Sequence, residues 1–169
     1  MAAHGKQAVL CKTASDGKVD CFLCGWRCNI AEGKLGHCRV RQNIGGVLYS
    51  LNYDKVCAAG VDPIEKKPLH HFLPGSRSFS IACPGCNFQC DFCQNWQISQ
   101  QPQDGDMTDG ESYSPGDIVD AAVRSGCKSI SYTYTEPTVF MELASECAIL
   151  ARKAGLANVF VTNGYMTRE

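Results

Sequence analysis

Apolar and polar positions change rhythm near residue 78. Downstream of that point, Ser78-Phe79-Ser80-Ile81-Ala82 reads as a short strand. Ser114-Pro115-Gly116-Asp117 predicts a helix start, with Ser114 as cap, Pro115 at the first helical position and Asp117 three residues after the cap. Ile118, Ala121, Ala122 and Val123 give that helix an apolar face, and Ser125-Gly126 ends it. Residues 129–134 alternate with the two-residue period of a strand and are rich in β-forming types. Phe140, Leu143, Cys147, Leu150 and Ala154 recur at three- and four-residue spacing, which predicts a helix over 137–154 closed by Gly155. Residues 158–162 form a third strand. Strand, helix and strand at this spacing make a βαβ unit, and such units build parallel sheets.

The upstream half lacks periodicity. Residues 1–17 are small and polar and are expected to fray. Residues 18–77 read as a cysteine-rich module with a strand-like stretch at 46–51, punctuated by Pro63, Pro68 and Pro74-Gly75. A polar stretch at about 97–113 shows no clear pattern. Residues 78–169 then hold three strands of an incomplete α/β architecture. Three parallel strands with no return helix after the third read as the amino-terminal half of a larger protein.

Composition narrows the class. Twelve cysteines in 169 residues would suit a secreted disulfide scaffold, but residues 1–7 have neither the apolar core nor the cleavage site of a signal peptide. No apolar run approaches the roughly 20 residues that span a bilayer. A reducing compartment, the cytoplasm, is expected. With 16 basic and 17 acidic residues the net charge is −1, which offers no field to attract nucleic acid or a membrane. The pair Lys66-Lys67 reads as a solvated turn.

The candidate chemistry centres on Cys86, Cys90 and Cys93, spaced Cys-x3-Cys-x2-Cys. Thiolates are the usual ligands of a [4Fe–4S] cube, one per iron. Three would leave the fourth iron open. Against this stands a four-thiolate zinc site that adds Cys83, although only three residues separate its two Cys-x2-Cys pairs, which is short for a zinc ribbon. A disulfide framework is the other alternative.

The Cys-x3-Cys-x2-Cys run, with Phe92 just before its last cysteine, resembles the motif of the radical S-adenosylmethionine (SAM) superfamily. The resemblance implies a partial (β/α)6 barrel, of which this chain would be the amino-terminal half, preceded by the small cysteine-rich module. It implies a [4Fe–4S] cluster on Cys86, Cys90 and Cys93, with SAM chelating the open iron. Tyr134-Thr135-Glu136-Pro137 is similar to the family's Gly-Gly-Glu-Pro motif but lacks the paired glycines. Glu136 would accept from the SAM ammonium; its other reading is a first-turn acid favoured by the helix dipole. Thr162 and Asn163 resemble the polar end of the third strand in glycyl-radical-activating enzymes, where it meets SAM; an Asn-Gly turn is also common at strand ends. Phe92 would pack against cluster or adenine. No residue is assigned as catalytic.

A second set, Cys21-x2-Cys24-x3-Cys28-x9-Cys38, suits tetrahedral zinc, with His37 as a spare ligand, or a second iron–sulfur cluster. Free thiols are the alternative. Cys11, Cys57, Cys127 and Cys147 are scattered, and Cys147, on an apolar helix face, reads as a buried small hydrophobe. His70 and His71 read as structural. Over residues 18–169, the segments 62–69, 71–77, 90–96 and 132–138 together look like the AmmeMemoRadiSam-system radical SAM proteins, often labelled pyruvate formate-lyase-activating-like. That resemblance implies reductive SAM cleavage to a 5′-deoxyadenosyl radical and hydrogen abstraction, as from a glycine of a partner protein. It also implies a flavodoxin- or ferredoxin-type electron donor. The competing reading is a non-catalytic metal-binding or electron-carrying module.

Overall fold

The computed structural model describes residues 5–101 and 110–169, so the centre of the polar stretch expected at 97–113 lies outside the described residues. The upstream half is more ordered than its sequence suggests. Strands β1 (Lys6–Gln7), β2 (Cys11–Thr13), β3 (Val19–Cys21), β4 (Asn29–Ile30), β5 (Arg41–Ile44) and β6 (Val47–Ser50) make two small antiparallel sheets, ordered β2-β3-β4 and β1-β6-β5. The expectation that residues 1–17 fray is therefore corrected from residue 5 onward. Lys6 and Gln7 pair with Ser50 and Tyr49, and Cys11–Thr13 pairs with Val19–Cys21. Two- and three-residue strands are too short to show a period in sequence, and partners hold them instead. Val19, Leu23, Ile30 and Leu48 fill the module's own small core.

Four further strands are β7 (Lys55–Val56), β8 (Ala58–Pro63), β9 (Arg77–Ala82) and β10 (Glu111–Ser112), and two more are β11 (Ser129–Tyr132) and β12 (Ala157–Phe160). The main sheet runs β12-β11-β9-β8. Pairs β9/β11 and β11/β12 are parallel, as the βαβ pattern requires. Strand β8 is an addition from within residues 18–77: it pairs antiparallel with β9 and puts Pro63 at the edge, where a missing N–H costs no ladder bond.

Helices α1 (Trp96–Ser99), α2 (Pro115–Arg124) and α3 (Met141–Lys153) complete the chain, with a 3-10 turn at Pro137–Phe140 leading into α3. Ser114 caps α2: its Oγ accepts from Asp117 N–H, and the Asp117 carboxylate accepts from Ser114 N–H, a reciprocal box. The buried face of α2 is Ile118, Val119 and Ala122, whereas Val123, expected there, is exposed. Ala154 is likewise exposed, and Ala144 and Ala151 take the inner positions of α3 beside Leu143 and Cys147.

Every residue of β11 is buried, because a central parallel strand is covered on both faces. Ile81, Ile130 and Tyr132 join the core with the helices, together with Phe140 and Leu143. The register puts Ser78, Ser80, Ser129, Ser131 and Asp62 on the opposite face. That face is polar inside: Ser78 Oγ lies 2.6 Å from Ser131 Oγ, and Ser80 Oγ donates to Asp62 at 2.8 Å.

Asp62 corrects another expectation. Lys66 and Lys67 do not form a solvated turn, because the 3-10 turn at Ile64–Lys66 wraps both back onto the Asp62 carboxylate, at 2.8 and 2.7 Å. The Lys67 side chain is 2% exposed, against 58% for Lys66. Burial pushes the Asp62 carboxyl up, but hydrogen bonds from Lys66, Lys67, Tyr134 and Ser80 outweigh it and hold the group well below the usual range. His70 and His71 are exposed.

Candidate metal and cofactor site

Three loops leave the carboxyl ends of β9, β11 and β12, the end where α/β sheets gather functional groups. They are tied into one frame. Thr135 Oγ1 donates to the Cys83 carbonyl at 2.7 Å, fixing the β11 loop to the start of the cysteine loop. Asn95 Nδ2 donates to the Tyr134 carbonyl at 2.9 Å, fixing its far end. Asn163 Nδ2 donates to Asn87 Oδ1 at 2.8 Å, which brings in the β12 loop. Asn52 Nδ2 holds the Pro84 carbonyl at 2.9 Å. Gly85 has φ +98, and a Cβ there would stand 2.4 Å from Val40 Cγ1, so glycine is required where the loop turns over the module.

Tyr134 stands where the family pattern has a glycine. It adopts φ +66, a left-handed conformation that is rare for a bulky residue. Its hydroxyl donates to Asp62, and Lys67 Nζ lies 4.5 Å from its ring centroid. The missing glycine is thus replaced by a tyrosine held in a glycine-like backbone state from the far side of the ring.

Glu136 knots the second and third loops together. Its Oε1 accepts from Thr138 N–H (3.0 Å), Thr138 Oγ1 (2.5 Å) and Thr162 Oγ1 (2.7 Å), and Oε2 accepts from Asn163 N–H at 2.7 Å. The residue is 3% exposed. A carboxylate offers about four lone-pair positions, two on each oxygen, so Oε1 is saturated and Oε2 retains one. The capping role and the bridging role therefore coexist, and Thr162 and Asn163 meet at this carboxylate. We expect Glu136→Gln to lower stability by about 1–3 kcal/mol, because an amide turns one acceptor into a donor facing donors. Urea unfolding measures it; an unchanged midpoint would show the carboxylate to be structurally idle.

The three motif cysteines share the mouth of this frame. Cys90 is exposed, and Cys86 and Cys93 are half-buried. Cys86 Sγ accepts from Phe88 N–H at 3.4 Å, and Cys93 Sγ lies 3.3 Å from Ser99 Oγ. Burial pushes the Cys86 thiol up, the Phe88 N–H opposes this, and the charges of Glu136, Cys90 and Cys93 add to the rise. Phe92 is 88% exposed beside them. Asn87, missed in the sequence, is fully buried under the loop, and its Nδ2 has no partner. Among the described residues no three metal-binding side chains stand preassembled around a point. The loop suits a cluster through its donor chemistry, three neighbouring thiols with one side open, rather than through a rigid cage. Cys83 is different: it is fully buried in the main core with Val40, Ile81 and Val139. Burial drives its thiol well above the ordinary value. A zinc site shared by Cys83, Cys86, Cys90 and Cys93 would have to pull Cys83 out of that core.

The second set converges as well. Cys21, Cys24, Cys28 and Cys38 line one small cavity with Leu23, Ile30, Arg41 and Val139. His37, the spare ligand, stacks its ring on Trp26 at 3.9 Å, and its backbone N–H donates to Cys28 Sγ at 3.5 Å. Trp26 lies between Cys24 and Cys28 and donates its indole N–H to the Asn87 carbonyl at 2.8 Å. Tyr165 packs edge-on to Trp26 and against Phe88. Gly25 N–H donates to the Tyr165 carbonyl at 2.9 Å. The cysteine-rich module is therefore a wall of the site, touching both the cysteine loop and the β12 loop. Cys127 and Cys147 lie in the main core, and the Cys11 thiol donates to the Ala8 carbonyl.

Among the described residues no helix is long and apolar enough to cross a membrane. No solved structure matches the chain. A protein of Methanocaldococcus jannaschii, "Uncharacterized protein MJ0808", is 47% identical over 164 residues, which cover 97% of this chain and 49% of that protein. The chain thus spans about half the length of the curated relative it matches. Residues 80–169, from the middle of β9 through all three loops, match the profile of the radical SAM superfamily. With the cysteine loop, the Glu136 knot and strands β11 and β12 inside that match, which covers more than half of the chain, the chain belongs to the radical SAM superfamily.

Proposed function

We propose that the chain forms the cluster- and SAM-binding side of a radical SAM enzyme, with Cys86, Cys90 and Cys93 holding a [4Fe–4S] cluster. The observation that carries this reading is the tying of the three-cysteine loop and the Glu136 knot into one frame at the carboxyl ends of parallel strands. When bound, the cluster and SAM supply one-electron cleavage of the sulfonium to methionine and a 5′-deoxyadenosyl radical.

The protein's part is orientation and exclusion of water. Glu136 keeps the β11 and β12 loops at fixed separation, and its remaining Oε2 lone pair is suited to the SAM ammonium. Asn87 and Asn163 brace the cysteine loop from below. Phe92, beside the thiols, offers an apolar surface to cluster or adenine.

The finer reading follows the resemblance to pyruvate formate-lyase-activating enzymes of the AmmeMemoRadiSam type. A flavodoxin- or ferredoxin-type donor supplies single electrons, and the hydrogen abstracted is a glycine Cα–H of a partner protein. The compartment that suits this reading is a reducing cytoplasm, where cysteines at metal-ligand spacing stay available as thiolates. The test is reductive: iron-loaded, reduced protein given SAM should release 5′-deoxyadenosine and methionine, and the absence of both would overturn the reading.

A further inference from the structure

We propose that Cys21, Cys24, Cys28 and Cys38 hold a single structural zinc ion, separate from the radical site, that fixes the wall against which the cysteine loop rests. Size decides between one ion and a second cluster. The cavity that the four cysteines help to line has room for about 10 Å³, roughly one water molecule. A cube of four irons and four sulfides does not fit that space without dismantling its lining of Leu23, Ile30 and Val139, whereas one four-coordinate ion does.

The surroundings are those of a buried thiolate site. Four thiolates around a divalent cation carry a net double negative charge, which needs donors and positive charge nearby. One backbone N–H already points at a sulfur of the set, that of His37 at Cys28 Sγ, 3.5 Å away. Arg41 lines the same cavity, its side chain 1% exposed, and its Nε–H is buried with no partner. A buried orphan donor is costly, and a thiolate in the cavity would satisfy it. No carboxylate lines the cavity, so the donor set is all sulfur with His37 beside it. Sulfur-rich tetrahedral sites favour zinc over hard cations.

The consequence for the neighbouring site runs through Trp26. The Cys24–Cys28 loop that would wrap the ion carries Trp26, whose indole N–H holds the Asn87 carbonyl inside the iron-binding loop. Cys24 also bridges to Met166 and Gly25 to Tyr165, at the end of the β12 loop. Ordering this loop by a metal would set the two loops that face SAM.

Metal content tests the site without relying on radical chemistry. Protein purified from zinc-supplemented cells, before any iron is added, should contain close to one zinc per chain. Cobalt grown in or exchanged in its place should show the intense thiolate charge-transfer and visible d–d bands of a tetrahedral four-sulfur site, a readout that needs no variant. Cys24→Ser with Cys28→Ser should lose the zinc, while Cys90→Ala should keep it. No bound zinc and no such cobalt spectrum in the unaltered protein would overturn the proposal. So would iron and sulfide, rather than zinc, disappearing from the Cys24→Ser, Cys28→Ser protein. Loss of zinc in Cys90→Ala equal to that in the double variant would also overturn it, by showing one shared centre.

Discussion

Cys90→Ala should remove the cluster almost completely, whereas Cys83→Ala should retain it. Both residues belong to the same eleven-residue stretch, so spacing alone does not separate them. Their surroundings do. Cys90 is exposed on the loop that also carries Cys86 and Cys93, while Cys83 is fully buried among Val40, Ile81 and Val139. A cube bound by three thiolates loses a third of its anchors with Cys90. Replacing Cys83 leaves the donor set intact and costs stability of about 1 kcal/mol for a small core void. Iron and sulfide per chain after anaerobic reconstitution distinguish the two. Equal loss in both variants would mean a four-thiolate centre and would remove the open coordination position on which SAM binding depends.

Glu142→Ala should destabilise the protein by about 3–5 kcal/mol, the usual cost of stripping one partner from a buried ion pair. Glu142 and Arg41 are 3% and 1% exposed, and Arg41 Nη2 donates to both carboxylate oxygens at 2.6 and 2.7 Å. Burial works against the Arg41 charge, and the carboxylate more than offsets it, leaving the guanidinium more firmly protonated than usual. Val9 N–H also donates to Glu142 Oε1 at 2.8 Å, and Arg41 Nη1 donates to the Val9 carbonyl at 3.2 Å. The pair thus bolts β5 and the amino-terminal strands to α3. Removing the carboxylate would leave a buried cation with no counter-charge and, of these partners, the Val9 carbonyl alone to accept from it. The Lys6–Glu146 pair on the same helix, 46% and 39% exposed, offers the contrast: Glu146→Ala should cost about 1 kcal/mol or less through that ion pair. Urea unfolding of the two variants side by side checks the difference. A Glu142→Ala loss below about 1 kcal/mol would show that the module and the helix are not coupled through this pair.

The sheet strands of the downstream half were legible because β-forming residues and helix spacing survive in the sequence wherever one element buries one face. Ser114 and Asp117 announced α2, and the reciprocal hydrogen bonds are there. Strand β8 was not legible. Ala58-Ala59-Gly60-Val61-Asp62-Pro63 has one β-branched residue and ends in proline, and only pairing with β9 makes it a strand. The buried Lys67 was hidden for a related reason: its partner Asp62 is five residues back, across a turn that neighbouring prolines suggested was solvated. At the site, the cysteine spacing gave the donor set but not its support. Asn87 and Trp26 have no periodic signal, and Asn95 lies inside the 90–96 resemblance without a role there, because all three act through long-range hydrogen bonds. Spacing does group Cys38 with Cys21, Cys24 and Cys28, but it does not reveal the way Cys38 reaches their cavity, which strand β4 and the turns before β5 provide. The sequence offers Glu136 as a SAM ligand or a first-turn acid, and its four accepted hydrogen bonds add a third role, capping one element while gripping another.

Reductive cleavage of SAM is the measurement closest to the central claim. The protein at its natural length, reconstituted with iron and sulfide under anaerobic conditions and reduced with dithionite, should convert SAM to 5′-deoxyadenosine and methionine in equal amounts. Cys90→Ala, treated identically, should yield neither. A protein that holds its full complement of iron and sulfide on Cys86, Cys90 and Cys93 yet forms no 5′-deoxyadenosine would contradict the account and leave a metal-binding or electron-carrying module in its place.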